Sequence, residues 1–210
     1  MDIQWLGTQS DYRSVYEQMK SLLIKRINGE TDDTLLLVEH SPVYTVGRAR
    51  NAMSNLLNPH SIPVEQIERG GDVTFHGPGQ LTGYPIVRLP VVDIHAYLRF
   101  LEDFWIAELA GHSISATRDE RNTGVWVSGK KMVAIGVAMR RQVCWHGFAC
   151  NITTNLEYFR QINPCGMSSE LVTRWQDHAA APVMEDYALE LGTRFEAAWV
   201  EWCNKTTTST

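Results

Sequence analysis

At 210 residues with 44% hydrophobic content, the chain is long enough for one well-buried core and short for two. Its formal net charge of -5 argues against a nucleic-acid partner, which would call for a strongly basic face. No apolar run approaches the roughly 20 residues of a membrane span, and Met1-Asp2-Ile3-Gln4-Trp5 is not a basic region followed by an apolar one, so a cytoplasmic location with no membrane partner is expected. Cys144, Cys150, Cys165 and Cys203 form no C-x-x-C pair, and reduced thiols are expected.

In chain order, residues 3–6 read as a short strand. Residues 11–27 read as an amphipathic helix, with Val15, Met19, Leu22, Leu23 and Ile27 on one face and Asn28-Gly29 as its stop. Strands over 34–39 and 43–46 flank a His40-Ser41-Pro42 turn, and 51–63 is a loop rich in Asn and Pro. A second helix spans 94–110, with Gly111 just past its end. Segments 125–127 and 132–137 are β-rich around Ser128-Gly129, a hairpin that places Lys131 at the start of its second strand. A closing helix covers 183–202, and 206–210 is expected to be a disordered tail. Neither repeat nor linker interrupts this order, so the expected fold is α+β, helices packed on a mixed, mainly antiparallel sheet, as a single domain over 1–205.

Twelve positions carry more chemistry than the rest: Arg69-Gly70-Gly71-Asp72-Val73-Thr74-Phe75-His76-Gly77-Pro78-Gly79-Gln80. Four glycines and a proline crowd where a core strand would place apolar residues, which reads as a binding loop. Arg69 adds a fixed charge and His76 a titratable ring. Further on, Pro164-Cys165-Gly166 sets a thiol between a fixed φ and a flexible turn, so Cys165 is a candidate nucleophile. Lys131 is its candidate activator, since a nearby cation favours the thiolate. Alternation along the strand turns Lys130 to solvent if Lys131 points inward. His76 as the base of a Cys-His pair is the alternative. Cys144-x-His146 lacks a second ligand pair, so no metal is expected. Arg48, Arg50, Arg69, Lys130, Lys131, Arg140 and Arg141 gather around these motifs and read as a basic rim for an acidic partner.

The stretch from Arg69 to Gln80, followed by Tyr84-Pro85, resembles the signature of the lipoyl(octanoyl) transferases. Thr123-Gly124-Val125-Trp126-Val127 leading to Lys131-Met132-Val133-Ala134-Ile135-Gly136 resembles that family's lysine strand. His146-Gly147-Phe148-Ala149-Cys150-Asn151 and Asn163-Pro164-Cys165-Gly166 resemble its remaining motifs, in family order. The resemblance implies the catalytic fold of the biotin and lipoate protein ligases and a Cys165/Lys131 dyad. It implies substrate contacts from Arg69, Gly70, Gly71, Asp72, Val73, Thr74, Phe75 and His76, from Ala134, Ile135 and Gly136, and from Gly147, Phe148 and Ala149.

The implied activity is transfer of an octanoyl group, through a Cys165 thioester and without cofactor or ATP. The donor would be octanoyl-acyl carrier protein, and the acceptor a lysine on lipoyl domains of 2-oxoacid dehydrogenase complexes or on the glycine cleavage H protein. Backbone N–H groups near Gly166 and the Gly70-Gly71 loop are candidate oxyanion donors. One departure stands out: the family runs V-T-S-L after P-C-G, whereas here Val172-Thr173 precedes Arg174-Trp175. An ATP-dependent lipoate or biotin protein ligase is the rival enzyme, and a non-catalytic acyl-binding module the rival of another class.

Overall fold

A computed structural model describes residues 1–208 apart from the side chain of Cys165. Strand β1 (Asp2–Trp5) pairs in parallel with β2 (Thr34–Val38), and parallel neighbours need a crossover, supplied by helix α1 (Tyr12–Asn28). Asp11 caps that helix by accepting from the Ser14 N–H at 2.8 Å, and Gly29, at φ +78°, ends it with its N–H on the last carbonyls. The small strands β3 (Val43–Val46), β4 (Val64–Gln66) and β5 (Val73–His76) form a separate sheet in the order β4-β3-β5.

The larger sheet continues with β6 (Gln80–Arg88), β7 (Gly124–Val127), β8 (Lys130–Arg140) and β9 (Val143–Asn151), in the order β1-β2-β6-β9-β8-β7. All its pairs except β1/β2 are antiparallel, so the expected architecture holds. Helix α1 covers one face, burying Val15, Met19 and Leu23 with Leu36, Ile86 and Trp145. On the other face, α2 (Ile94–Gly111) and α3 (Met184–Thr208) bury Leu101, Trp105, Leu191 and Phe195 with Leu35, Leu37 and Phe148. The third cluster, around Tyr44, Phe75 and Phe159, belongs to the small sheet.

Several boundaries differ from the sequence reading. Residues 73–76 of the expected binding loop are strand β5, because Val73 and Phe75 alternate into the third cluster while Thr74 is only half-buried. Helix α2 includes Gly111 and is capped by His112. Helix α3 runs to Thr208, into the expected tail, with the hydroxyls of Thr206, Thr207 and Thr208 donating to the carbonyls of Trp202, Cys203 and Asn204 one turn back. The rest of that tail, Ser209 and Thr210, lies outside the described residues. Among those described, no helix is long and apolar enough to cross a membrane.

Docking of α3 on the sheet rests on Gly192, where a Cβ would come within 2.6 Å of Ile3 Cγ2 and 3.4 Å of Leu37 Cδ1. Gly192→Val should therefore destabilise the protein by about 1–3 kcal/mol in urea unfolding. Gly111→Ala, at a helical position with nothing within 4 Å, should instead stabilise it by up to about 1 kcal/mol.

Candidate active site

A pocket of about 900 Å³, counting its open mouth, lies between the two sheets. Its lining includes β5, the middle of β8, β9 and the 164–172 segment. Its polar wall begins at Arg69, which is buried, with its guanidinium donating to the Thr45 carbonyl at 2.9 Å, the Thr45 hydroxyl at 3.0 Å and the Gly70 carbonyl at 3.0 Å. The arginine fits because β8 carries Gly136 there; a Cβ would sit 3.3 Å from Arg69 Cδ and 3.2 Å from the Gly70 carbonyl oxygen. A bond of 2.9 Å from Gly70 N–H to the Val137 carbonyl ties this loop to β8.

From Arg69 a directional chain of hydrogen bonds crosses the pocket. Thr45 Oγ1 pairs with His76 Nε2 at 3.3 Å, and His76 Nδ1 with Gln80 Oε1 at 2.8 Å. Because an amide oxygen only accepts, Nδ1 carries the proton and Nε2 accepts from Thr45. The Gln80 amide donates to Asn151 Oδ1 at 2.9 Å, and the Asn151 amide to the Thr173 carbonyl at 3.1 Å. Beside this chain, His40 Nδ1 donates to the Ser10 carbonyl at 3.2 Å, and Tyr84 OH donates to His40 Nε2 at 2.8 Å. Tyr12 stacks on His76 with centroids 6.0 Å apart.

Burial is the first cause of the electrostatics here. It pushes His40 down to about 4 and His146 to about 3, and drives His76 well below its ordinary value, with His40 and Arg69 adding to the effect on His76. These rings are neutral at physiological pH. Tyr12 and Tyr84 are raised by the same desolvation and stay protonated.

At the other end stands Lys131, 8% exposed. The Ser128-Gly129 turn has φ +49° and +75°, the two left-handed positions of a tight hairpin, and it leaves Lys130 exposed while Lys131 turns in. Lys131 Nζ donates to Asn122 Oδ1 at 2.6 Å and the Thr123 carbonyl at 2.9 Å, and lies 5.2 Å from the Trp126 ring centroid. The Lys131 carbonyl accepts from Thr173 N–H at 3.0 Å, and Lys131 forms a parallel bridge with Val172. The segment carrying Cys165 is thus fastened to the lysine strand. Its Pro164–Gly166 turn is a single 3-10 turn, and Pro164, Met167 and Lys131 line the same pocket.

Of the expected substrate residues, Arg69, Gly71, Asp72, Val73, Thr74, His76, Ala134, Ile135, Gly136, Gly147, Phe148 and Ala149 line the pocket. Gly70 and Phe75 do not: Gly70 bonds to β8, and Phe75 is stacked on Tyr158 at 4.5 Å in the third cluster. Of the N–H groups near Gly166 and in the Gly70-Gly71 loop expected as oxyanion donors, that of Gly166 donates to the Asn163 carbonyl and that of Gly70 to the Val137 carbonyl. Arg69 and Lys131 are buried in the pocket wall and drop out of the basic rim, while Arg48, Arg50, Lys130, Arg140 and Arg141 are exposed. Tyr12, Asn122 and Thr82 line the pocket without having been singled out, and His40, read as part of a turn, braces it. The Arg174-Trp175 departure is a packing feature: Trp175 is fully buried and donates to the Ala180 carbonyl at 3.0 Å.

The neutral histidines have a thermodynamic consequence. Unfolded, each would titrate near 6.5, whereas folded His40 and His146 titrate at about 4 and about 3. Between those values the unfolded chain binds more protons, so stability falls as pH drops below about 6.5, by up to about 1.4 kcal/mol per pH unit for each ring. Urea unfolding at pH 7.5 and 5.5 should give a lower midpoint at 5.5 with an unchanged slope. Equal midpoints would mean that the rings are hydrated in solution.

Residues 11–195 match the family described as the lipoyl protein ligase A/B catalytic domain. An octanoyltransferase of Rubrobacter xylanophilus is 48% identical over 180 residues, 82% of this chain and 81% of that protein. Another, of Pelobacter propionicus, is 41% identical over 195 residues, 91% of this chain and 92% of that one. A solved putative lipoate protein ligase of T. acidophilum with bound lipoic acid has the same fold at TM-score 0.71 and 17% identity, covering 96% of this chain and 85% of its own. The chain therefore belongs to the lipoyl protein ligase A/B catalytic domain family, and within it stands with the octanoyltransferases.

Proposed function

We propose that the protein transfers an octanoyl group from octanoyl-acyl carrier protein to a lysine of lipoyl domains, through a thioester on Cys165 with Lys131 as proton carrier. The observation that carries this reading is the seam between Lys131 and residues 172–173, which holds the Pro164–Gly166 turn and the buried lysine on one pocket. High identity to octanoyltransferases over most of the chain supports it.

The Cys165 thiolate attacks the thioester carbonyl of the carrier's phosphopantetheine arm. The carbon–sulfur bond to the carrier breaks, and the departing thiolate takes a proton from Lys131. The acceptor lysine then attacks the acyl-Cys165 carbonyl, an amide forms, Cys165 leaves as thiolate, and the amine's proton returns to Lys131. No ATP is needed, because a thioester is already an activated acyl group. The walls suit the cargo: Ala134, Ile135, Phe148 and Ala149 offer an apolar path for an alkyl chain. The exposed Arg48, Arg50, Lys130, Arg140 and Arg141 would meet the acidic carrier and acceptor domains, those of 2-oxoacid dehydrogenases and the glycine cleavage H protein, in the cytoplasm. Residues 1–205 would act as one catalytic domain.

Intact-protein mass after incubation with octanoyl-acyl carrier protein tests the nucleophile. Cys165→Ala should lose the octanoyl adduct, while Cys203→Ala on α3 should keep it; transfer by Cys165→Ala at near wild-type rate would overturn the assignment. ATP-dependent adenylate formation without any adduct would favour the ligase, and neither product the acyl-binding module.

The lysine has its own test. Lys131→Met removes the amine and keeps most of the stem, so the pH midpoint of Cys165 alkylation should rise, and acyl transfer should fall further than the loss of thiolate explains. Lys130→Met should change neither. An unmoved midpoint in folded Lys131→Met would leave the thiol without its activator.

A further inference from the structure

The pocket's far end holds polar atoms that nothing in the transfer chemistry uses. His146 is 1% exposed, lines the pocket, and neither of its ring nitrogens has a hydrogen-bond partner. Tyr12 is 4% exposed, lines the same end, and its hydroxyl is likewise unpartnered. The two meet through Tyr16, stacked 6.1 Å from the Tyr12 ring and 6.2 Å from that of His146. An orphaned buried polar group costs about 1–3 kcal/mol, so three such atoms on one cavity wall are not filler.

The backbone strengthens the point. His146 sits at φ +60° inside β9, a left-handed conformation rare for any residue in a strand. Pairing between β6 and β9 lapses there: it runs to Gly83↔Phe148 and resumes at Val87↔Cys144, so Tyr84–Ile86 keep their partners on β2 and Trp145–Gly147 theirs on β8 but have none registered across this seam. Pro85, which has no N–H to give, falls in the gap. A regular β9 would turn the residue at 146 differently; the observed kink brings an unpartnered imidazole onto the cavity wall.

The Lys131 side chain runs along β8, with its Cε against Gly124, which registers with Ala134. His146 is registered with Val137, three residues farther, or about 10 Å of strand at 3.3 Å per residue, close to the length of an extended octanoyl chain. An acyl chain with its carbonyl near Lys131 would therefore direct its tail toward Tyr12 and His146, past Ala134, Ile135 and Gly136.

We propose that Tyr12 and His146 form a polar subsite for the tail of the acyl chain, so that the pocket accepts medium chains ending in an uncharged hydrogen-bonding group, such as a hydroxyl, beside plain alkyl chains. The inference rests on the transferase reading for the direction of the chain. A terminal hydroxyl would accept from the Tyr12 hydroxyl and donate to the unprotonated nitrogen of His146, satisfying atoms that an alkyl tail leaves to water or to nothing. In a purely apolar pocket the same hydroxyl would lose its hydration without return.

Calorimetric titration of the full chain with octanoate and with 8-hydroxyoctanoate tests this. In the wild type, 8-hydroxyoctanoate should bind within about threefold of octanoate. Tyr12→Phe, which deletes one oxygen and leaves the ring, and His146→Phe should each lower the ratio of hydroxyoctanoate to octanoate affinity by about tenfold, the equivalent of one unpaired buried polar group. Tyr97→Phe removes a hydroxyl that is also buried and unpartnered but lies in the core against α3, and it should leave the ratio unchanged. A wild type that binds the hydroxy acid more than tenfold worse, a ratio unmoved in Tyr12→Phe, or no binding of either acid would overturn the subsite. Measuring the octanoyl adduct alongside separates the two readings. An adduct with an unmoved ratio removes the subsite alone, and the expected ratios without an adduct remove the transferase reading alone.

Discussion

A guanidinium taken out of water is the constraint on which this pocket depends. Desolvating an ion costs several kcal/mol unless its hydrogens are answered, and Arg69 is answered by the Thr45 and Gly70 carbonyls and the Thr45 hydroxyl. That hydroxyl accepts from Arg69 and so turns its own proton to His76 Nε2. The imidazole must then be protonated at Nδ1, which orients Gln80, which orients Asn151, which holds the Thr173 carbonyl. One fixed charge thereby sets the direction of each bond in this line from the small sheet, across β6 and β9, to the strap behind Lys131. Such a network rigidifies when complete and is costly when a member is missing.

The same chain of contacts couples parts of the fold that share little apolar core. The small sheet has its own cluster, around Tyr44 and Phe75, apart from the two that flank the central sheet. What holds its β5 against the central sheet includes the His76–Gln80–Asn151 line and the Gly70 bond to Val137. Because Thr173 receives Asn151 on its carbonyl and gives its N–H to the Lys131 carbonyl, the spacing between the polar wall and the lysine strand is set by hydrogen bonds of fixed length rather than by loop conformation. Chemistry that depends on placing a carbonyl near a lysine and a thiol gains from that rigidity.

Legibility from the sequence follows burial pattern. Helix α1 was readable because one face is wet: Asp11 caps, Val15, Met19 and Leu23 recur at helical spacing, and Gly29 stops it. Strands β6 and β9 were not, because helices cover both faces of the sheet and alternation disappears; Gly83, Pro85 and Gly147 then look like breakers inside what is central sheet. The glycine-dense motif hid β5 for a related reason. In the site, alternation along the strand let only one of Lys130 and Lys131 face inward, and the resemblance to the family's lysine strand picked Lys131. Burial of Arg69 was not legible, as arginines are mostly exposed and its cradle is assembled from Thr45 and Gly136, far away in sequence. Tyr12 and His40 escaped notice because one opens a helix and the other sits in a turn; only the packing of α1 over the sheets brings them to the pocket.

The histidines also explain how a pocket can be polar at its end yet carry little net charge there. Burial above all keeps His76 and His146 unprotonated, and the Arg69 charge, itself hydrogen-bonded within the wall, adds to the effect on both. The rings that result carry a donor and an acceptor each but no net charge; those of His76 are spent within the wall and those of His146 are not. A cationic cluster in the same place would draw anions and reject an alkyl tail, and an all-apolar end would exclude water altogether. Neutral imidazoles beside protonated tyrosines do neither, and they leave the strong electrostatics at the opposite end, where Lys131 lies over the Trp126 ring between Asn122 and Thr123. Lys131 thus brings a cation to where bonds would be made and broken, the charge of Arg69 is answered within the wall, and hydrogen-bonding capacity without charge lies where the chain would end.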